Sequence, residues 1–258
     1  MLCSIKHIHN AIIAARDGDI GHVREVLFDD AHWVIRHIVV DSGGWLSGRR
    51  VLISPHAVER IDAEHKRLVV ALTKQQIEDA PDIDTDKPVS RQHETALYDY
   101  YGYPYWWAGA GIWGAAAYPM AGASLAVPRP APDDEVTREL RERQQAERDA
   151  ADPRLRSSAE VSGYRIEAKD GSIGHIEDFL FDDGSWRIEH VEVDTRNWLP
   201  GRHVLIAPQW IQSIDWGDRK VHVKVSREAV KSSPPYEGAS RTSEESIRQM
   251  QRHFEGWL

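Results

Sequence analysis

Thirteen histidines and a single cysteine, Cys3, set the chemical question for this chain. His22 with His37, or His175 with Glu177 and His190, are spaced to approach across one hairpin and offer the nitrogen and oxygen ligands a transition metal takes. Arg24 stands where the second set has Glu177, and a cation there repels a metal, so at most one set could bind. Histidines satisfied within the fold explain the pattern more simply, and no metal or other cofactor is expected. Asp41 and Asp194 each precede a loop, where aspartate accepts hydrogen bonds from turn amides. Arg49 and Arg202 are expected to pair with carboxylates of their own module. One cysteine excludes an intramolecular disulfide framework and any multi-cysteine zinc or iron–sulfur site, and suits a reducing compartment. The sequence carries no Ser-His-Asp elbow, phosphate-binding glycine loop or His-Glu-x-x-His helix, so no catalytic residue and no enzymatic activity are expected.

The elements that must position these side chains come twice. Displaced by 153 positions, Asp17-Gly18-Asp19-Ile20-Gly21-His22 meets Asp170-Gly171-Ser172-Ile173-Gly174-His175, and Leu27-Phe28-Asp29-Asp30 meets Leu180-Phe181-Asp182-Asp183. Trp33 falls on Trp186, Trp45-Leu46-Ser47-Gly48-Arg49 on Trp198-Leu199-Pro200-Gly201-Arg202, Pro55 on Pro208, and Ile61-Asp62 on Ile214-Asp215. Roughly two positions in five are identical without a gap from Asp17 to Ile77, which marks a duplicated module. The 258 residues (29.3 kDa), 41% hydrophobic and 28% charged, suit two modest globular domains. The net charge of −9 and pI of about 5.8 argue against nucleic acid as a partner, because binding phosphates needs a concentrated positive face.

Each copy reads as short strands broken by turns. In the first, strands are expected over Asn10 to Arg16, His22 to Phe28, Trp33 to Asp41, Arg49 to Ser54, Val58 to Asp62 and Arg67 to Thr73, with Asp17-Gly18 as a tight turn. A short helix from Lys74 follows, capped by Thr73 and Gln76 and ended before Pro81. Six short strands are most simply satisfied by closing a small antiparallel barrel. Trp33 and Ile35 share one parity while Ile38 and Val40 share the other, and Trp186, Ile188, Val191 and Val193 repeat this. Such a phase slip predicts a β-bulge at His37 and His190.

This run of Asp-Gly turn, Ile-Gly-His, Phe-Asp-Asp, Trp, Val-Asp, Trp-Leu-x-Gly-Arg and Val-Leu-Ile-x-Pro resembles the PRC-barrel family, known from the cytoplasmic domain of the photosynthetic reaction centre H subunit and from a ribosome-maturation factor. The resemblance covers both repeats. It implies a mainly β fold of two small antiparallel barrels in tandem and a habit of docking to other proteins; a bacterial source is expected, and the single cysteine makes the cytoplasm the expected compartment. The expected organisation is a first repeat over 1–81, a linker over 82–154, a second repeat over 155–235 and a tail with a helix over 236–258. A soluble relative of the H subunit that supports membrane electron transfer is the alternative role by resemblance. A metal- or ligand-binding enzyme is a further alternative.

The linker is aromatic and rich in glycine, alanine and proline over 95–130, then dense in charge over 131–154. Residues 102–127 carry no charge, yet glycines, prolines and few branched aliphatics make them a weak membrane inserter, and no basic cluster flanks them. Membrane association is not the expectation. Two roles are open to the aromatic stretch: packing on the barrels, or docking a partner, since tyrosine and tryptophan bury large area at low rotamer cost. Substantial burial of Trp106, Trp107 and Trp113 is expected in either case. In the tail, Thr242 and Glu245 fit a capping box, and Ile247, Met250, Phe254 and Trp257 share one helical face. Trp106, Trp107, Trp113, Tyr101, Tyr105, Phe254 and Trp257 are therefore the candidate protein-binding residues of a non-catalytic scaffold that associates with other proteins or with itself.

Overall fold

The computed structural model describes residues 1–257 apart from 45, 47, 82–88, 90, 121–154, 196–198, 200–201 and 239–243. The charged linker stretch, Thr242 and the tryptophans of the two Trp-Leu-x-Gly-Arg loops therefore lie outside the described residues. In chain order the elements are β1 (Leu2–Ser4), α1 (Ile5–Ile8), β2 (Ile12–Ala15), β3 (Gly18–Asp29), β4 (Val34–Asp41), β5 (Arg50–Ile53), β6 (Val58–Asp62), β7 (Arg67–Val70), α2 (Lys74–Glu78) and α3 (Arg91–Tyr101). The second half repeats them as β8 (Leu155–Ser157), α4 (Ser158–Val161), β9 (Arg165–Ala168), β10 (Gly171–Asp182), β11 (Ile188–Asp194), β12 (His203–Ile206), β13 (Ile211–Asp215), β14 (Lys220–Val223), α5 (Arg227–Ser232) and α6 (Glu244–Glu255).

The fold is mainly β, with two sheets of seven strands and a few helices. The paired strands run β5-β4-β3-β2-β7-β6 in one sheet and β12-β11-β10-β9-β14-β13 in the other. Along the two six-strand paths, and for β1 with β10, pairing is antiparallel except for β2 with β7 and β9 with β14. The expected six strands per copy are thus present as a six-strand path, and each sheet gains a seventh. That strand comes from the other repeat: β1 pairs β10, with Cys3 opposite Phe181, while β8 pairs β3. The chain accordingly divides into a first-repeat unit, Ile8–Leu155 with Gly184–Trp186, and a second-repeat unit, Met1–His7 with Arg156–Asp183 and Arg187–Leu258. Where the sequence reading starts the first module at residue 1, the structure gives Met1–His7 to the second.

Local chemistry explains the duplicated motif. A Cβ on Gly21 would lie 2.1 Å from the Asp41 carbonyl oxygen, and one on Gly174 2.0 Å from that of Asp194, so only glycine lets β3 and β10 approach their neighbours. The Asp17 carboxylate accepts from the Lys74 amide at 2.8 Å, and Asp170 from the Arg227 amide at 2.7 Å, tying each Asp-Gly turn to the start of α2 or α5. Thr73 and Gln76 form the expected capping box. Arg49 donates to the carbonyls of Glu78 and Ala80, and Arg202 to those of Lys231 and Ser233, main-chain acceptors at helix ends that for Arg202 stand in place of the expected carboxylate. Trp33 (φ 57°) and Trp186 (φ 60°) both sit in the left-handed region. That costs about 1 kcal/mol or more for an L-residue. Stacking of Trp33 on Phe28, with centroids 5.5 Å apart, offsets it. Ile13, Val26 and Phe28 in the first unit, and Phe181, Val193 and Ile206 in the second, are fully buried.

The predicted bulges are where the parity slips. Leu27 faces His37 but Phe28 faces Ile35, and Leu180 faces His190 but Phe181 faces Ile188, so Arg36 and Glu189 are the unopposed residues.

The structure also extends the repeat beyond its legible end. Helix α3 begins at residue 91 and α6 at residue 244, the same offset of 153, and Leu97 and Met250 are buried at matching positions.

Candidate functional site

The bulge in each repeat turns one histidine inward and one charged residue aside, and the face around them is finished differently in the two copies.

In the first repeat, helix α3 delivers Glu94, completely buried, to His37: Nε2 and Oε1 are 3.0 Å apart. Trp106 donates its indole N–H to the same oxygen at 3.0 Å, and Arg91 pairs with the other carboxylate oxygen at 2.8 Å. Arg36, also completely buried, lies 3.9 Å from the Trp106 ring centroid and 4.9 Å from that of Trp113, pairs with Asp29 at 3.1 Å, and donates to the Ile112 carbonyl. Trp113 donates to the Ser185 carbonyl at 2.7 Å and meets His56 edge-on at 4.9 Å. Burial, followed by the positive fields of Arg36 and His37, pulls the His56 pKa down to about 4, so this ring is neutral. Ser54 lies 3.1 Å from His56 Nδ1, but the serine is 2% exposed and its oxygen accepts from the His56 amide, which makes it a cap and not a nucleophile. The face is filled by the chain's own aromatic segment.

In the second repeat the corresponding face holds a cavity among the described residues. Gln251 of α6 takes the place of Tyr98 and lies 3.2 Å from His190 Nε2, while Glu189 takes the place of Arg36. Around them is a cavity of about 530 Å³, walled by Leu2, Leu180 and Ile247 and reached by Glu189, His190 and Tyr236. Burial pulls the His190 pKa to about 4 and raises that of Glu189. His190 Nδ1 and the Tyr236 hydroxyl, in residues 3% and 5% exposed, have no hydrogen-bond partner among the described residues. The unmet Nδ1 recurs at His37 and belongs to the shared bulge. The Tyr236 hydroxyl is particular to the second repeat.

Of the candidate protein-binding residues, Trp106 and Trp113 are buried on the first repeat and Phe254 is buried against Trp210, with centroids 4.9 Å apart. Trp107, Tyr101 and Tyr105 are half-buried: Tyr105 stacks on Trp107 at 4.9 Å and Tyr101 on Tyr103 at 5.4 Å. Trp257 is 46% exposed. The expected packing of the aromatic segment is met for Trp106 and Trp113 within the chain itself. Sequence reasoning missed Arg36, Glu94, Glu189 and Tyr236, whose only signal was the parity slip that placed two of them.

Of the possible metal ligands, His190 does not join the second set; Asp194 takes its place. His175 Nε2 lies 3.8 Å from Glu177 and 3.7 Å from Asp194, and the three ligand atoms fall within 4.8 Å of one another, so they could hold a metal ion. Lys6, however, already donates to Glu177. Cys3 is buried, which pushes its thiol up to about 11 and keeps it protonated. Among the described residues, no helix is long and apolar enough to cross a membrane.

No curated protein matches the chain. The model of the PRC-barrel domain matches residues 8–77 and 156–230, more than half of the chain and both copies of the module, and the protein belongs to that family.

Proposed function

We propose that this protein is a non-catalytic adaptor of the cytoplasm that associates with other proteins through the bulge face of its second repeat. One observation carries the reading. The same structural position is sealed in the first repeat by Trp106 and Trp113, whereas in the second it is a cavity with a buried, unpartnered Tyr236 hydroxyl. A buried polar group without a partner costs roughly 1–3 kcal/mol, which an incoming group can relieve. Glu94 of the first repeat is engaged by His37, Trp106 and Arg91, and this supports a structural role for that cluster. The test places a photo-crosslinking amino acid at Arg248, on the cavity rim, and a control at Lys66 in the first repeat. Protein adducts formed at position 248 and not at position 66 support the adaptor; equal labelling, or none at 248, refutes it.

A further inference from the structure

Resting on that reading, we infer that the second-repeat cavity takes a short peptide segment of a partner that presents a basic side chain beside an aromatic ring.

The first repeat supplies the template. There the bulge residue is a cation, Arg36, set against the rings of Trp106 and Trp113 and donating to the backbone carbonyl of Ile112, all supplied by a loop that follows α3. Ring, cation and carbonyl are the three groups that complete the face. In the second repeat the scaffold is the same, but its bulge residue is a carboxylate, so the cation must come from the occupant. Glu189 makes no ion pair among the described residues and lines the cavity, with Asp182 beside it. The other charges there are engaged: Arg248 pairs with Glu245 at 3.2 Å, and Asp182 with the Met1 ammonium at 3.2 Å. Arg187 weakens the field of Glu189 without forming an ion pair with it.

The remaining groups match the other two parts of the template. The buried Tyr236 hydroxyl is a donor with nothing to meet, which a peptide carbonyl would satisfy as the Ile112 carbonyl meets Arg36. Leu2, Leu180 and Ile247, continuous with the buried cluster of Leu205 and Met250, give an apolar wall for the ring. The volume of about 530 Å³ falls within the usual range for pockets that enclose a small ligand.

The probes are two acetylated, amidated tetrapeptides, Gly-Trp-Arg-Gly and Gly-Trp-Glu-Gly, titrated calorimetrically into the full chain. The expected result is binding of the arginine peptide at least tenfold tighter than the glutamate peptide. Glu189→Gln, nearly isosteric and only half-buried, should erase that preference, and Tyr236→Phe should weaken the arginine peptide several-fold while keeping the preference. Unchanged thermal unfolding of Glu189→Gln shows that its loss is not a loss of fold. Equal affinities for both peptides, no binding of either, or an unaltered preference in Glu189→Gln overturns the inference. If adducts at position 248 form in any of those cases, the adaptor reading stands and only the partner chemistry falls.

Discussion

Protonation of His56 should cost the first repeat a specific and measurable amount of stability. The ring is 1% exposed, its Nδ1 faces Ser54, and it stacks on Tyr103 at 5.0 Å. Burial first, then Arg36 and His37, lowers its pKa from 6.5 to about 4. A histidine whose folded pKa lies below its unfolded value stabilises the fold fully above the unfolded pKa, and that contribution is lost as pH falls toward the folded one. Between pH 7 and pH 5 the unfolded ring takes up its proton while the folded ring does not, a penalty of about 2 kcal/mol, rising to about 3 kcal/mol below pH 4. The discriminating variant is His56→Gln, because Gln209 stands at the equivalent position of the second repeat. Hydrogen exchange of the β4 and α3 amides at pH 7 and pH 5 gives the local opening free energy of each form. Carboxylates titrate alike in both proteins, so the wild type should lose about 2 kcal/mol more than the variant over this interval. Equal losses would refute the claim that His56 is held neutral by its burial.

Gly174→Ala places a methyl 2.0 Å from the Asp194 carbonyl oxygen at a residue whose φ is 142°, so β10 and β11 must separate; a loss of about 3 kcal/mol is expected in urea unfolding, with a similar loss for Gly21→Ala. A change under about 0.5 kcal/mol in either variant would show that the close approach does not matter. Trp113→Ala removes a ring that is 1% exposed and leaves the Ser185 carbonyl without its donor, a cost of about 3–5 kcal/mol that differential scanning calorimetry should register as a lowered first transition. Zinc should bind the wild-type chain weakly, because Lys6 occupies Glu177; in competition with a fluorescent chelator, Lys6→Ala should raise the affinity at least tenfold and a further His175→Ala should cancel the gain. An unchanged affinity in Lys6→Ala would remove Lys6 as the reason.

What the sequence made legible is what short-range rules govern. The Asp-Gly turn, the Thr73 cap and the bulge at His37 follow from positive φ, from amide satisfaction and from side-chain parity, and each involves residues within a few positions of one another. The exchange of β1 and β8 was invisible for a physical reason. Leu2 and Leu155, and Ser4 and Ser157, occupy the same places in the two copies, so either strand satisfies either sheet and no local preference decides between them. The equivalence of α3 and α6 was hidden differently: no residue from 91 to 101 is identical to its counterpart at 244 to 254, and only the apolar spacing of Leu97 and Tyr101 with Met250 and Phe254 survives. Burial of one helical face constrains size and polarity far more than identity.

That difference in constraint bears on where function can sit. Positions kept in both copies, such as Gly21 and Gly174 or Asp17 and Asp170, are those the backbone demands, and each has a steric or hydrogen-bonding reason in both units. Positions that changed in chemical kind sit on one face: Arg36 against Glu189, Tyr98 against Gln251, Glu94 against Ile247. In the first unit these three form a closed set, because Glu94 needs the donors His37, Trp106 and Arg91, and Arg36 needs the rings and carbonyl of the loop that brings Trp106. Ile247 in place of Glu94 removes the acceptor that holds such a loop, and Glu189 in place of Arg36 removes the cation that the rings cover. A loop like 103–118 would therefore find neither of its anchors on the second repeat. The substitutions at these positions change the shape of the face and the sign of its bulge residue together, which is why the proposed docking is placed on the second repeat and its occupant is given a basic group.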